Sequence, residues 1–530
     1  MSDRLTRTRR VFAPRGGYYQ GGSQTYRPGD GLGSLPKLLP TEIWRWVRSH
    51  RLFVALFAVG AFVRFLAIIG NYPILWFGGD SDLYVLVAAN VYPPAGNPAG
   101  YGLALRLLRP FHSFTVVALA QHLAGLLVGL AIYLPLTRLE RIGRRRVYRL
   151  PRWAAALFAA PAMLDAYQIQ LEHLIMSEAM FGFCVVIGVI LVMQARIGSY
   201  WAATTGLVLL SIASVTRTIG LPILLLAIAS LLLKRVGVRV LAVAALAAAL
   251  PLIGYATWFD NYHGRFALSG VDGLYLWSRT AAFADCAQLK LSDAERLLCP
   301  DHVPQEIRDQ HPPASLWLWS DWSPLRQLPS TMDEDVRNEL ARQFAIKVIQ
   351  QQPVDYAIAV IKDFSLSFHW ERAPHPGEST LVYYRFTRND QPLPVDHSSG
   401  SLSVRELAEL YAPMDGTHVR QPVANWLYAY QSIFATRGPM LALLLAAGLA
   451  GIARRWRRWG GEALLPWVCS MALLAVPVMT ADFDHRYVLP AIPLACLAAG
   501  LATRGRLSEL ASAKAAHPVK GPALTRANHG

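Results

Sequence analysis

The 530-residue sequence is short of charge: only 16% of it is Asp, Glu, Lys or Arg, against 53% hydrophobic residues. A soluble chain carries about 25% charged residues. An ordinary water-soluble globule is therefore excluded, and an integral membrane protein is implied. Acidic residues are the scarcer sign, 35 against 51 basic, for a net charge of +16. That surplus does not mark a nucleic-acid binder, because no recognition fold or aromatic-basic platform accompanies it. The arginines cluster instead beside apolar runs, as the positive-inside rule describes. Cysteine is also sparse. Of the five present, Cys184, Cys469 and Cys496 lie in apolar runs and read as core residues. No internal repeat is visible, which counts against a transporter built from related halves.

Apolar segments of about 17–25 residues can cross a bilayer as helices. Ten are present, at about 52–70, 113–134, 153–166, 176–195, 201–216, 218–234, 237–257, 436–453, 463–480 and 487–503. The third is short. The fifth and sixth touch at SVTRTIGLP (214–222), so one of them is expected to be broken or re-entrant. Ten crossings bring RLERIGRRRVYRLPR (138–152), KRVGVR (234–239) and RRWRRW (454–459) to one side, together with both termini. That side is expected to be cytoplasmic. The first apolar run starts too far in, and is too long, for a cleaved signal peptide, and reads as a signal anchor.

The predicted fold class is thus an all-α polytopic protein of the plasma (inner) membrane with about ten transmembrane helices. A flexible cytoplasmic tail (1–50) precedes a transmembrane catalytic module (51–257) with an acidic first external loop (71–112). A mainly helical extracytoplasmic domain (258–435), further transmembrane helices (436–503) and a polar cytoplasmic tail (504–530) follow. Within the external domain, Val336, Leu340, Phe344 and Val348 recur every four residues and predict an amphipathic helix. Cys286 and Cys299 lie there too, in CAQLKLSDAERLLC. In an oxidising compartment they are expected to form a disulfide rather than two free thiols.

Ionisable residues gather at the outer ends of the predicted crossings: Asp80, Asp82, Asp165, Glu172, His173, Glu178, Arg217, Asp482, Asp484, His485 and Arg486. Such groups at membrane depth usually mark a functional cavity. In GGDSDLY (78–84) the glycines permit a tight turn, and Asp80 or Ser81 can cap the helix that follows. Two readings stand for the aspartates: caps only, or one of them a fixed, ionised general base. Asp-X-Asp also suits a divalent cation, so a metal is left open and no cofactor is required. Glu178 opens the fourth crossing, with Glu172 and His173 as residues of the turn before it. Arg217 needs an anion, either a carboxylate or a phosphate. Arg486 beside His485 suits phosphate by paired hydrogen bonds, or serves with Tyr487 as an interfacial anchor.

These motifs resemble the GT-C glycosyltransferases that use polyprenyl-phosphate sugars, a superfamily that includes protein O-mannosyltransferases and the lipid A aminoarabinose transferase. The likeness spans roughly 50–260 and 430–505 and lies in GGDSDLY, GNPAGYGLALRLLRPF (96–111), Ser177-Glu178 with Phe181, Arg217 with Gly220, and RYVLPAIP (486–493). Asp-Ser-Asp replaces the adjacent acidic pair common in mannosyltransferases, and GYG replaces GYP. The resemblance implies inverting transfer of a sugar from a lipid-phosphate donor to an extracytoplasmic glycan, lipid or protein. It implies Asp80 as base with Asp82 beside it, and Arg486, His485 and Arg217 at the donor phosphate. Tyr84, Tyr101, Glu178 and Tyr487 would contact substrate. A flippase of lipid-linked substrates and a non-catalytic envelope scaffold are the competing functions.

Overall fold

The computed structural model describes residues 40–503 apart from 138–139, 143–144, 148–149, 196, 198, 373, 396–397, 400–401 and 459. The tails predicted over 1–39 and from 504 lie outside the described residues. The chain divides into two units at Ser49/His50. The first holds helix α1 (Pro40–Ser49), inside the segment read as tail, with Trp44 and Trp46 exposed.

In the second unit every predicted crossing coincides with a helix. These are α2 (Arg51–Gly70), α5 (Phe114–Thr137), α6 (Arg152–Leu164), α8 (Glu178–Gln194), α9 (Tyr200–Thr216), α10 (Gly220–Leu233) and α11 (Val238–His263). The link between α2 and α5 carries two short helices, α3 (Asp80–Asn90) and α4 (Gly100–Leu108), and α7 (Ala166–Leu171) follows α6. After α11 come α12 (Asp272–Ala281), α13 (Glu334–Gln351), α14 (Pro353–Leu366), α15 (Val404–Tyr411), α16 (Val423–Ile433), α17 (Gly438–Arg454), α18 (Leu464–Thr480), α19 (His485–Val488) and α20 (Ala491–Thr503). Among the described residues, five spans are long and apolar enough to cross a membrane, and α16 with α17 makes a sixth bent by 49°. The remaining four, α6, α8, α9 and α10, are shorter apolar helices. The predicted re-entry at SVTRTIGLP is a break at 217–219 between α9 and α10, which pack on each other.

Helix α20 sits at the centre. Every residue from Ala491 to Ala502 is buried, against α5, α6, α17 and α18. A helix apolar on all sides belongs in such a place, and its alanines let neighbouring backbones approach closely.

The region 258–435 does not separate as a domain of its own. Residues 272–351 build a satellite core on Trp277, Leu298, Trp317 and Phe344. Tyr384, Phe386, Leu407, Tyr411 and Leu427 instead belong to the main core. A short antiparallel sheet of Asn71–Tyr72, Gly416–Val419 and Gln391–Pro392 ties that second part to the first link. In α13 the predicted stripe turns out differently. Phe344 and Val348 are buried with Asn338, Ala341 and Ala345, but Val336 is 54% exposed. A spacing of four drifts about 40° per step on a 3.6-residue helix, which carries Val336 off the buried face. Cys286 and Cys299 are disulfide-bonded inside the satellite core, with Cα atoms 6.1 Å apart. Replacing both by alanine is expected to lower the stability of this part by about 3 kcal/mol, read as faster hydrogen exchange across residues 272–351.

Candidate active site

The first link turns sharply before α3. Gly79 takes φ +91° at the N-cap, a conformation that only glycine adopts without strain. The turn makes Asp80 and Asp82 the first and third residues of α3, so they point in different directions. Asp82 turns back on the loop: its oxygens accept from Trp76 Nε1 at 2.5 Å and from Gly79 N at 3.0 Å. Asp80 is left to the cavity, where Oδ1 accepts from Asn97 Nδ2 at 3.1 Å and Oδ2 from Arg486 Nη1 at 2.6 Å.

The arginines arrive from later elements. A Cβ at Gly220 would lie 2.5 Å from Ser214 N, so glycine lets α10 start hard against the end of α9, with Arg217 in the break. Arg217 pairs with Glu178, the first residue of α8. Arg486 follows Asp484, whose Oδ1 accepts the Arg486 backbone N–H at 3.0 Å and whose Oδ2 accepts from Tyr384 Oη at 2.8 Å. Arg486 Nε lies 3.0 Å from Asp484 Oδ2 and 3.7 Å from Glu178 Oε1. The Tyr487 ring is shared as a cation–π surface, 5.0 Å from Arg217 and 5.3 Å from Arg486. Three carboxylates and two guanidiniums thus meet at one point.

Asp80, Glu178, Arg217 and Arg486 line a cavity of about 360 Å³. Its polar wall includes Asp80, Tyr84, Asn97, Glu178, Arg217, Ser269, Asp272, Tyr275, Arg486 and Tyr487. Its apolar wall is Phe181, Ile219, Pro222, Leu473, Val476, Pro477 and Pro490, from the starts of α8 and α10, the end of α18 and the turn before α20. Burial alone would raise the Asp80 carboxyl, but the Arg486 charge and hydrogen bond, with Arg217 and Asn97, outweigh it and hold Asp80 below its ordinary 3.8. At Asp484 burial wins over Arg486 and the hydrogen bonds, and the carboxyl is pushed up. Burial likewise pushes the Tyr84 and Tyr275 phenols up.

Of the residues singled out in the sequence, Asp80, Tyr84, Glu178, Arg217, Arg486 and Tyr487 line this cavity. Three of those given a catalytic or substrate role by the resemblance sit elsewhere. Asp82 is 1% exposed and serves the turn. Tyr101 is buried behind Tyr84, edge-on to it, with its hydroxyl donating to Gln121 Oε1 at 2.6 Å. His485 packs on Phe483 and lines a separate, small cavity with Arg372 and Arg437. Glu172 and His173, placed by the sequence in the turn before α8, are 0% exposed. Asn97, Ser269, Asp272, Tyr275 and Tyr384 were missed. Asn97 was open to inference, since it sits in the GNPAGYG stretch of the first link. The others lie in a segment whose packing no local pattern reveals.

The divalent-cation option fits these residues poorly. Asp82 spends its oxygens on the turn, so Asp-Ser-Asp presents one carboxylate rather than two. Asp80 and Glu178 each already face a guanidinium.

No protein-family model and no curated protein matches the chain. Solved structures do resemble it. The archaeal oligosaccharyltransferase AglB from Archaeoglobus fulgidus, in complex with an inhibitory peptide and a dolichol-phosphate, shares 12% identity at a TM-score of 0.42 over 90% of this chain. The chain spans about half of AglB, 53% of its length. ArnT from Cupriavidus metallidurans bound to undecaprenyl phosphate shares 12% identity at a TM-score of 0.31, over 87% of this chain and 79% of ArnT.

Proposed function

We propose that the chain is a membrane glycosyltransferase that moves a sugar from a polyprenyl-phosphate donor to an acceptor hydroxyl on the extracytoplasmic face, with inversion. The observation that carries this reading is the cavity's mixed lining: Asp80 and Glu178 beside two arginines, together with apolar residues from α8, α10 and α18. A lipid chain suits the apolar wall and a phosphate suits the arginines. The face follows from the links. Asp80, Asn97, Arg217, Ser269, Tyr275 and Arg486 fall on links that alternate along the chain with the three arginine-rich ones. If the basic links are cytoplasmic, the cavity opens outward.

In this mechanism Asp80 takes the proton of the acceptor hydroxyl as its oxygen attacks the sugar C1. The C1–O bond to the lipid phosphate breaks, and the electron pair leaves on that oxygen. The departing phosphate gains negative charge, which Arg486 and Arg217 are placed to meet. Without donor, Arg486 holds Asp80 ionised but weakly basic. A phosphate that draws Arg486 toward itself loosens that hold and raises the basicity of Asp80 when it is needed. Tyr275 and Asn97 border the space left for the acceptor.

Incubating the purified protein in nanodiscs with undecaprenyl-phosphate sugars and envelope extracts, followed by mass spectrometry, tests the reading. Release of undecaprenyl phosphate together with a glycosylated product is expected. No turnover with any donor, combined with unchanged glycans in cells lacking the protein, rejects it.

The depressed Asp80 carboxyl sets a pH expectation. The free enzyme keeps its base ionised through mildly acidic solution, so kcat/KM shows no loss from this group between about pH 7 and pH 5. The linked stability has the sign of a lowered carboxylate: present above 3.8 and lost as pH falls through the folded value. A pH–rate profile and thermal melts check the two parts.

A further inference from the structure

Away from the cavity, four ionisable side chains are buried where α2, α5 and the 171–177 link meet. Arg64, His122, Glu172 and His173 are each no more than 2% exposed. Arg64 donates Nε to Glu172 Oε2 at 2.8 Å and Nη2 to Oε1 at 3.0 Å, and Nη1 to the Gly60 and Met163 carbonyls. Gln168 Nε2 donates to Oε1 at 3.1 Å. Glycine makes the room, since a Cβ at Gly125 would lie 1.8 Å from Glu172 Oε1. From Glu172 a chain of imidazoles leads away. His122 Nδ1 lies 3.1 Å from Glu172 Oε2, His122 Nε2 lies 3.1 Å from His173 Nδ1, and His173 Nε2 lies 2.7 Å from the Asn71 carbonyl oxygen. The two ring planes are within 12° of parallel.

The protons in this chain can be counted. The Asn71 carbonyl only accepts. Glu172, gripped by both arms of Arg64, accepts as a carboxylate. Three contacts therefore need three protons, and a neutral imidazole carries one. Two neutral rings leave one contact with lone pair facing lone pair, whichever tautomers are chosen. We propose that the chain holds one proton more than two neutral imidazoles supply, so that His122 is an imidazolium between Glu172 and His173. The ring beside the carboxylate holds the charge better than the ring beside a neutral carbonyl. One carboxylate then serves two cations, Arg64 from α2 and His122 from α5, with Gln168 and His173 completing the surround. The chain stitches Asn71, where the link bearing Asp80 begins, to His173, five residues before Glu178. These four are thus positioning residues for the cavity. That consequence rests on the glycosyl-transfer reading, whereas the proton count does not.

The test is nitrogen-15 NMR of the full chain, labelled in its histidine rings, in nanodiscs at pH 8. Exposed imidazoles, with pKa about 6.5, have by then lost their second proton. His375 is also paired with a carboxylate, 3.0 Å from Asp482, so His375→Asn serves as the background. In that background one ring with both nitrogens protonated is expected. Glu172→Gln is expected to abolish it, because a neutral amide no longer compensates a buried imidazolium beside Arg64. Absence of a doubly protonated ring in the His375→Asn protein overturns the proposal whether or not the Glu172 variant folds. So does its survival in a folded Glu172→Gln protein. The readout does not depend on transfer activity, so its failure is distinct from failure of the functional reading.

Discussion

Asp80→Asn is expected to lower sugar transfer by about 10²–10⁴-fold, the usual contribution of a positioned general base, while the protein still inserts, folds and binds donor. The carboxamide can keep its oxygen toward Arg486 Nη1 and turn its NH₂ toward Asn97, whose own amide flips to accept. The contacts at 2.6 and 3.1 Å therefore survive in form, and what disappears is the ability to take a proton. Both kcat and kcat/KM should fall, since the interaction matters in the transition state. Asp82→Asn is the control. There one of the two N–H donors of the turn, Trp76 Nε1 or Gly79 N, loses its acceptor. A stability loss of about 1–3 kcal/mol is expected, with turnover of the folded fraction unchanged. Full activity in Asp80→Asn, or loss of chemistry in folded Asp82→Asn, would reverse the assignment.

Arg486→Ala is expected to do more damage, because the arginine serves two purposes. It is the cation between Asp80 and Asp484, close to Glu178, and only 14% exposed. Removing one member of a buried ion pair typically costs about 3–5 kcal/mol, and here three carboxylates would be left with Arg217. The same change removes the stronger candidate for the donor phosphate. Arg486→Lys separates the purposes: the ammonium restores charge and much of the stability but cannot make paired hydrogen bonds to phosphate. Melting temperature and undecaprenyl-phosphate binding by native mass spectrometry should order wild type, Lys and Ala. An alanine variant that melts and binds as wild type does would remove Arg486 from the site.

The arrangement also explains why the two aspartates looked equivalent in the sequence and are not. Residues two apart on a helix lie about 200° apart, so once α3 begins at Asp80 only one of them can face a given partner. Which one depends on the Gly79 turn and on Trp76 reaching back for Asp82. His485 and Arg486, adjacent in α19, lie about 100° apart and so face different surroundings. Tyr101 was drawn toward substrate by its place in a family-like motif, but packing puts Tyr84 in front of it. The proposed base Asp80 and the arginines were legible because a charge beside an apolar run has few places to go. Asn97 and Tyr275 were not, because neutral polar residues leave no such mark.

By itself the sequence determined that this is a helical membrane protein, where its ten apolar segments lie, and which charged links alternate along it. These are properties of local hydropathy, which a bilayer reads one segment at a time. Only the tertiary structure decided that Asp80 meets Arg486, some four hundred residues later, that Asp82 does not, and that Glu172 and His173 belong to a buried chain. Such contacts depend on how α2, α5, α8, α9, α10 and α19 pack, and packing is set by side-chain shape across helices that share no sequence neighbourhood.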